Sequence, residues 1–555
     1  MALKPPLLDL PIKTADSGFY KGFSRDVTIA SKFAIGGLVI WAIAFPEQAG
    51  AILSTFNSFI LTNFATWYIW AVALFVVMCI GLAIWPTAGR LLLGQPGDKP
   101  EFGNFSWFSM MFGAGIGVGM LTWAVAEPVY HFNNNPEVIQ GLTTGGAADN
   151  IRMAYKWSFL HWGIGAWACY ALAGLALAFF SYRRGLPLTM RSSLTPIFGK
   201  TLSGPVGHLV DIVAVVATIL GVAQTLGFGV EQFVSGLTRI GINGLTNEAG
   251  TANTMGVLVA IFVIMAASTL SALSGVGKGI KWLSNLNMGL SIFLLTFFLL
   301  FGSTFFGLQA LVLGLWDYLI ALPDMMFRVW RTDGTETGDA LANWQGAWSV
   351  FYWAWWIAFA PFVGLFLARI SRGRTIREFV LGAMIVPSLM CFVWFTWAGG
   401  TAIDLELNGG ANGVINSAPD GDKIFAMVQY MLSPFLGWAM AAIIVVLLMT
   451  YLVTTADSAV LIVNTINAAG DEGPKARPHI LFWGVALGSV VAALLLVPGG
   501  GLKAIQTAMV IGALPFSLVM ILMCVALIKA IYLDGKREAA GIPTTYSEAG
   551  TEPAE

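Results

Sequence analysis

Cysteine, histidine and charge are what this 555-residue chain has least of: four Cys, four His and only 11% Asp, Glu, Lys and Arg. Each scarcity excludes something. Cys79, Cys169, Cys391 and Cys524 all sit inside apolar runs, none in a Cys-x-x-Cys or Cys/His arrangement, so they read as small buried hydrophobes, and neither a disulfide nor a metal cluster is expected. His131, His161, His208 and His479 fall in four separate segments, without the paired carboxylates, His/Asp cluster or nucleophile and base that a membrane-embedded lipid enzyme needs. A net charge of −1 leaves no electrostatic footprint for nucleic acid, which is not expected as a partner. The first 25 residues show no continuous apolar core ahead of a small-residue cleavage site, so no removable signal peptide is expected.

What fills the chain instead is apolar: 57% of it is hydrophobic, with 38 Phe and 21 Trp. Windows of about 20 apolar residues, the length that crosses a hydrocarbon core of about 30 Å, predict an all-α integral membrane protein with twelve transmembrane helices. The spans are drawn at 29–45, 66–87, 106–130, 153–181, 208–237, 253–274, 282–303, 345–369, 376–398, 436–467, 479–498 and 506–531. Residues 304–330 are apolar as well, but Asp317, Pro323, Asp324 and Arg328 interrupt them, which predicts a helix lying across the outer face. Alternate loops place 22 of the 29 Lys and Arg on one side, so the positive-inside rule puts both termini in the cytoplasm. Arg369, Arg372, Arg374 and Arg377 read as part of that anchor.

Five spans from the third and five from the eighth begin on opposite faces, the pattern of an inverted repeat. The chain is accordingly divided into an N-terminal tail (1–28), two additional helices (29–103), a first five-helix repeat (104–303), a surface helix and outer loop (304–343), a second repeat (344–532) and a tail (533–555). The tail contains Gly541 and Pro543, ends acidic, and is expected to be disordered.

Two stretches carry chemistry. MFGAGIGVGM in the third span has glycine at 113, 115, 117 and 119, each costing a helix about 1 kcal/mol relative to alanine. Close helix packing through small residues at four-residue spacing is one reading. The other is a helix broken around 113–119, whose bared carbonyls suit a hard cation and whose bared N–H groups suit a carboxylate. A nucleotide-binding G-x-G-x-x-G fails, because position 118 is valine and no strand precedes it. In the eighth span Trp348, Tyr352, Trp355, Phe359 and Phe362 form one helical stripe with Trp356 beside it, and the fourth span adds Trp162, Trp167 and Tyr170. Such a stripe serves as core, as an interface belt, or as a cage for a cation that cannot donate hydrogen bonds, a quaternary ammonium or sulfonium.

The segments FGAGIGVGMLTWAVAEP, LHWGIGAWACYALAGLALAF, FYWAWWIAFAPFVGLFLARISRGRTIREF and YLVTTADSA resemble the betaine/carnitine/choline transporter (BCCT) family, over about residues 20–530. The resemblance implies a leucine-transporter-type 5+5 inverted repeat preceded by two extra helices, a homotrimer in membrane lipid, and transport of a small-molecule onium substrate. By motif, Trp162, Trp167, Tyr170, Trp355, Trp356 and Phe359 would line the substrate cage, and Ala114, Ile116 and Gly117 would offer backbone to its carboxylate. Phe359 stands where betaine-binding members carry a third tryptophan, which leaves dimethylsulfoniopropionate, trimethylamine N-oxide and ectoine beside glycine betaine as substrates.

The resemblance also implies a sodium coupling ion, held by carbonyls of Gly113, Ile116 and Tyr451 and the hydroxyls of Thr454 and Thr455, with no other cofactor. On residues alone the favoured reading is that those hydroxyls bond back to the preceding turn of their own helix. A second sodium site is incomplete, since Thr218 is followed one turn later by Val222. Proton-coupled or exchange transport of choline, carnitine or trimethylamine N-oxide is the alternative, and it turns attention to the acids within spans. Glu127 and Glu231, close to span ends, are expected to be solvated and structural, which leaves Asp457 deeper in its span.

Overall fold

The computed structural model describes residues 3–115, 117–274 and 281–550. Among the described residues the fold is helical throughout, with only isolated β-bridges outside the helices. Twelve described helices are long and apolar enough to cross a membrane. That set differs in membership from the sequence reading: it includes Thr304–Phe327 and omits the third span, whose halves Asn104–Gly115 and Val118–Asn133 are 12 and 16 residues long.

The reason is a real interruption. Gly117 is extended (φ −142°, ψ −158°), so winding stops after Gly115 and restarts at Val118. The break is narrower than the expected 113–119, because Gly113, Gly115 and Gly119 remain in helix. A second break, not anticipated, splits the fourth span at Gly163 (φ −94°, ψ −142°) into Ile151–Trp162 and Ile164–Ala178. A Cβ at Gly163 would lie 2.5 Å from the Phe159 carbonyl oxygen and 2.7 Å from the Tyr318 hydroxyl, so no larger residue fits. The eighth span does not break. It runs Glu336–Gln345, a π-helical turn at Gly346–Val350, then Phe351–Arg369, and the extra residue of that turn re-aims the side chains that follow.

The 24-residue helix Thr304–Phe327 is tied at both ends to one end of the bundle. Ser303 Oγ donates to Asp404 at the end of the ninth span, and Gln345 Nε2 donates to the Arg328 carbonyl at the start of the antiparallel eighth. At the opposite end the arginine-rich loop is cross-linked to its neighbours. Arg369 pairs with Glu472, Arg372 with Asp98 at 3.3 Å, and the Arg374 guanidinium lies 3.7 Å from the Trp107 ring centroid.

Two boundaries change. The second span extends over Pro46–Ile84, taking in residues read as loop. The tail expected to be disordered from 533 is ordered through 550: the last helix continues to Ala539, Arg183 Nη2 donates to Thr544 Oγ1 at 2.9 Å, and the Ser547 N–H donates to Gln95 Oε1 at 3.2 Å. Composition suggested solvation, but the buried Arg183 supplies a charged anchor.

Arg191 and Asp211 form a fully buried pair at the start of the fifth span, Nε to Oδ2 at 2.6 Å, with the Arg191 N–H also donating to Oδ1 at 3.1 Å. Removing one partner of a buried pair strands the other charge, at a cost of about 3–5 kcal/mol. Asp211→Ala is therefore expected to lower the thermal midpoint of the detergent-solubilised protein markedly, whereas a surface change such as Glu248→Ala leaves it within error.

Candidate functional site

Where the third, fourth, eighth and tenth spans meet, a cavity of about 510 Å³ opens between Gly117 and Gly119 on one side and the rings of Trp162, Tyr170, Trp355, Trp356 and Phe359 on the other. It continues past Tyr451, Thr454 and Thr455 to Ser106, Ser284 and Asn285, which are exposed at its mouth. The mouth lies at the end of the bundle that carries the arginine-rich loop, since Arg374 Nη1 donates to Asn104 Oδ1 at the start of the third span.

The aromatic wall is built by near-parallel and perpendicular contacts. Trp355 and Trp356 stack at 5.0 Å with an interplanar angle of 8°. Trp162 meets Trp356 edge-on at 5.0 Å and 74°, and Tyr170 meets it at 6.0 Å and 81°. Gly119 permits the approach, because a Cβ there would lie 3.0 Å from the Trp355 ring. A buried indole N–H needs an acceptor, and each of the three finds one within the protein, Thr225 at the cavity's edge and the other two behind its wall. Trp162 donates to Glu127 Oε2 at 2.7 Å, Trp356 to the His161 carbonyl at 2.9 Å, and Trp355 to Thr225 Oγ1 at 3.3 Å. The break at Gly163 contributes directly, since the His161 carbonyl lies in the last turn before it.

The break in the third span gives the cavity a polar end. A helix start leaves N–H groups without intrahelical partners and carries partial positive charge, and a helix end leaves carbonyls and partial negative charge. Both meet between Gly115 and Val118. The Gly117 carbonyl already accepts from the Met120 N–H at 3.1 Å. Gly113 and Ala114 fall in the last turn before the break, and Ile116 lies outside the described residues. Across from the break, Thr455 Oγ1 is 3.9 Å from where a Gly117 Cβ would stand. The Thr454 hydroxyl donates back to the carbonyls of Thr450 and Tyr451 at 3.0 and 3.1 Å and accepts from Asn287 Nδ2 at 3.1 Å. The backbone-bonded arrangement of this threonine is thus the one present.

Of the predicted aromatic set, Trp162, Tyr170, Trp355, Trp356 and Phe359 are brought together on the cavity. Trp167 is not among its lining residues; it packs edge-on behind Tyr170, 5.5 Å between centroids. Two expectations are corrected. Glu127, read as solvated near a span end, is 0% exposed, and His131 and His161, read as scattered, converge on it. His161 Nδ1 lies 2.7 Å and His131 Nε2 3.4 Å from Glu127 Oε1, and Tyr352 donates its hydroxyl to Oε2 at 2.5 Å. Glu231, by contrast, is partly buried and accepts the Ala252 N–H at 2.8 Å in an outer loop. The signal for the cluster was available: a lone Glu-Pro in an apolar span and a His-Trp pair in the next.

The profile of the betaine/carnitine/choline family transporter (BCCT) matches residues 26–536. A probable glycine betaine transporter of Desulfitobacterium hafniense is 37% identical over 501 residues, 89% of this chain and 95% of the relative. A glycine betaine transporter of Bacillus subtilis is 36% identical over 494 residues, 89% and 91% of the two chains. An osmo-independent choline transporter of Acinetobacter baylyi is 37% identical over 511 residues, 91% and 92%. The relatives are named as transporters and not as enzymes, and with a multi-pass helical fold, a broken span and an aromatic cavity this chain belongs to the betaine/carnitine/choline transporter family.

Proposed function

We propose that this protein is a secondary active transporter importing a methylated onium osmolyte, a quaternary ammonium or sulfonium zwitterion such as glycine betaine or dimethylsulfoniopropionate, by sodium symport. The observation that carries the reading is the cavity itself, aromatic on one wall and a broken helix on the other. Indole and phenol faces attract a desolvated cation at up to about 2 kcal/mol per contact. Because the N–H groups of Trp162, Trp355 and Trp356 are engaged elsewhere, the wall offers rings and not donors to the solute. That suits a methyl-clad cation better than a protonated amine. The helix start at Val118 suits a carboxylate. Phe359 in place of a third indole weakens the strongest cation-attracting face and favours a headgroup with three substituents over one with four.

Sodium is assigned to Gly113, Ile116, Tyr451, Thr454 and Thr455. The nearness of Thr455 to Gly117 across the break supports this, as does the partial negative charge of the helix end at Gly115. Ligation by Thr454 is compatible with its backbone bonds, since the hydroxyl donates its hydrogen to them and keeps a lone pair besides the one that accepts from Asn287. The mouth at Ser106, Ser284 and Asn285 then corresponds to an inward-facing state of alternating access between two inverted five-helix repeats. The assembly is a homotrimer in a bacterial inner membrane, with both termini cytoplasmic.

Concentrative uptake of labelled glycine betaine or dimethylsulfoniopropionate into proteoliposomes is expected to require sodium. Uptake that persists when potassium replaces sodium and collapses with a protonophore overturns the sodium assignment. Trp356→Leu is expected to weaken substrate binding by about tenfold or more, measured by calorimetry, and equal indifference of the wild type to betaine, choline, carnitine and dimethylsulfoniopropionate removes the onium reading. The native cysteines are buried, so a Ser109→Cys variant tests the inward-facing assignment. Its thiol is expected to react with a membrane-impermeant maleimide added from the cytoplasmic side and to be protected by substrate.

A further inference from the structure

A buried carboxyl group lies behind the aromatic wall of the cavity. Glu127 is fully buried, and among the described residues the basic side chains within 4 Å of its carboxyl are the imidazoles of His131 and His161, with no Lys or Arg. Its Oε2 accepts from both the Trp162 indole and the Tyr352 hydroxyl, and its Oε1 faces His161 Nδ1. His161 Nε2 lies 3.0 Å from Ser349 Oγ, which fits an Nδ1–H tautomer donating to Glu127 while the Ser349 hydroxyl donates to Nε2. Three donors therefore converge on the carboxyl, the set that matches an ionised, acceptor-only carboxylate.

Of the two rings that donate to Glu127, one lines the cavity and the other packs against rings that do. Trp162 lines the cavity directly. Tyr352 stacks on Trp355 and Trp356, at 6.0 and 5.6 Å and 23° in each case. A ring whose N–H or O–H donates to a carboxylate carries more electron density over its faces, which strengthens its attraction for a cation. The carboxylate's own field is weakly screened in a dry interior. An unpaired buried anion is costly, and a cation arriving beyond the ring relieves part of that cost. A neutral solute of the same shape does not.

We infer that Glu127 is a specificity-determining residue that does not touch substrate: a fixed counter-charge, acting through Trp162 and Tyr352, that makes the cavity prefer a cationic headgroup over a neutral one of equal size. The inference rests on the onium reading above and goes beyond it by assigning the charge preference to a residue outside the cavity lining. A merely structural brace for Trp162 would support charged and neutral ligands alike.

The test compares glycine betaine with tert-butylacetate anion, its isostere with carbon in place of the ammonium nitrogen, by calorimetry on the purified full-length protein in nanodiscs. Dimethylsulfoniopropionate and isocaproate form the matching pair for a sulfonium. In Glu127→Gln, which keeps an acceptor for Trp162 and Tyr352 but removes the charge, the ratio of the two affinities is expected to fall about tenfold, or about 1.4 kcal/mol. Isostere binding is expected to stay within about twofold. Glu127→Asp is expected to keep the ratio even where both affinities drop. Equal weakening of both ligands in Glu127→Gln, or no change in either, overturns the inference. If Glu127→Gln does not assemble, the aspartate variant decides, and loss of the ratio there overturns it. A wild type that does not prefer either onium over its isostere defeats the onium reading instead, a separate and recognisable failure.

Discussion

Inside a hydrocarbon layer every backbone N–H and C=O must be matched by protein, because water is absent and an unmatched group costs several kcal/mol. The fold is organised around two places where helix stops matching its own groups. At Gly117 the third span ends and restarts, and at Gly163 the fourth does. Each break is enclosed by other helices, and its freed groups are put to use. The Ile164 N–H donates to the Tyr318 hydroxyl at 3.1 Å, and the His161 carbonyl takes the Trp356 indole. The helix Thr304–Phe327, which supplies Tyr318, is thereby one of the partners of the break in the fourth span.

The same rule governs the aromatic wall. The three cavity tryptophans are each held by their N–H on a different acceptor: a carboxylate, a hydroxyl and a backbone carbonyl. Two of the three depend on the His161–Trp162 pair, which sits immediately before the Gly163 break. The π turn at Gly346–Val350 contributes from the other side by carrying Ser349 to His161. Winding defects in two helices are thus linked by a buried polar network to the orientation of the rings.

Much of this was legible in the chain. The spans were readable because about 20 apolar residues in a row have few alternatives to a membrane helix. The glycines at 113–119 marked the third-span break, although only Gly117 departs from helix. The stripe from Trp348 to Phe362 located the aromatic wall. Glu127 was misread because distance from the end of an apolar run is a poor measure of depth when neighbouring helices extend past it. Trp167 does not line the cavity because Tyr170, one turn on along the same helix, stands there and Trp167 packs against it. Composition likewise missed that Gln95 and Arg183 hold the tail.

The sequence by itself determined that the chain is a bundle of membrane helices, where one of them fails, and that aromatic rings crowd one stripe of the eighth span, because these follow from local composition and spacing. Tertiary structure decided which rings face one another, which acceptor holds each indole, and that Glu127 and His131 of the third span share a single buried site with His161 of the fourth. Those are contacts between residues as far apart as Glu127 and Tyr352, and a partner chosen across the bundle leaves no periodic trace in the chain that supplies it.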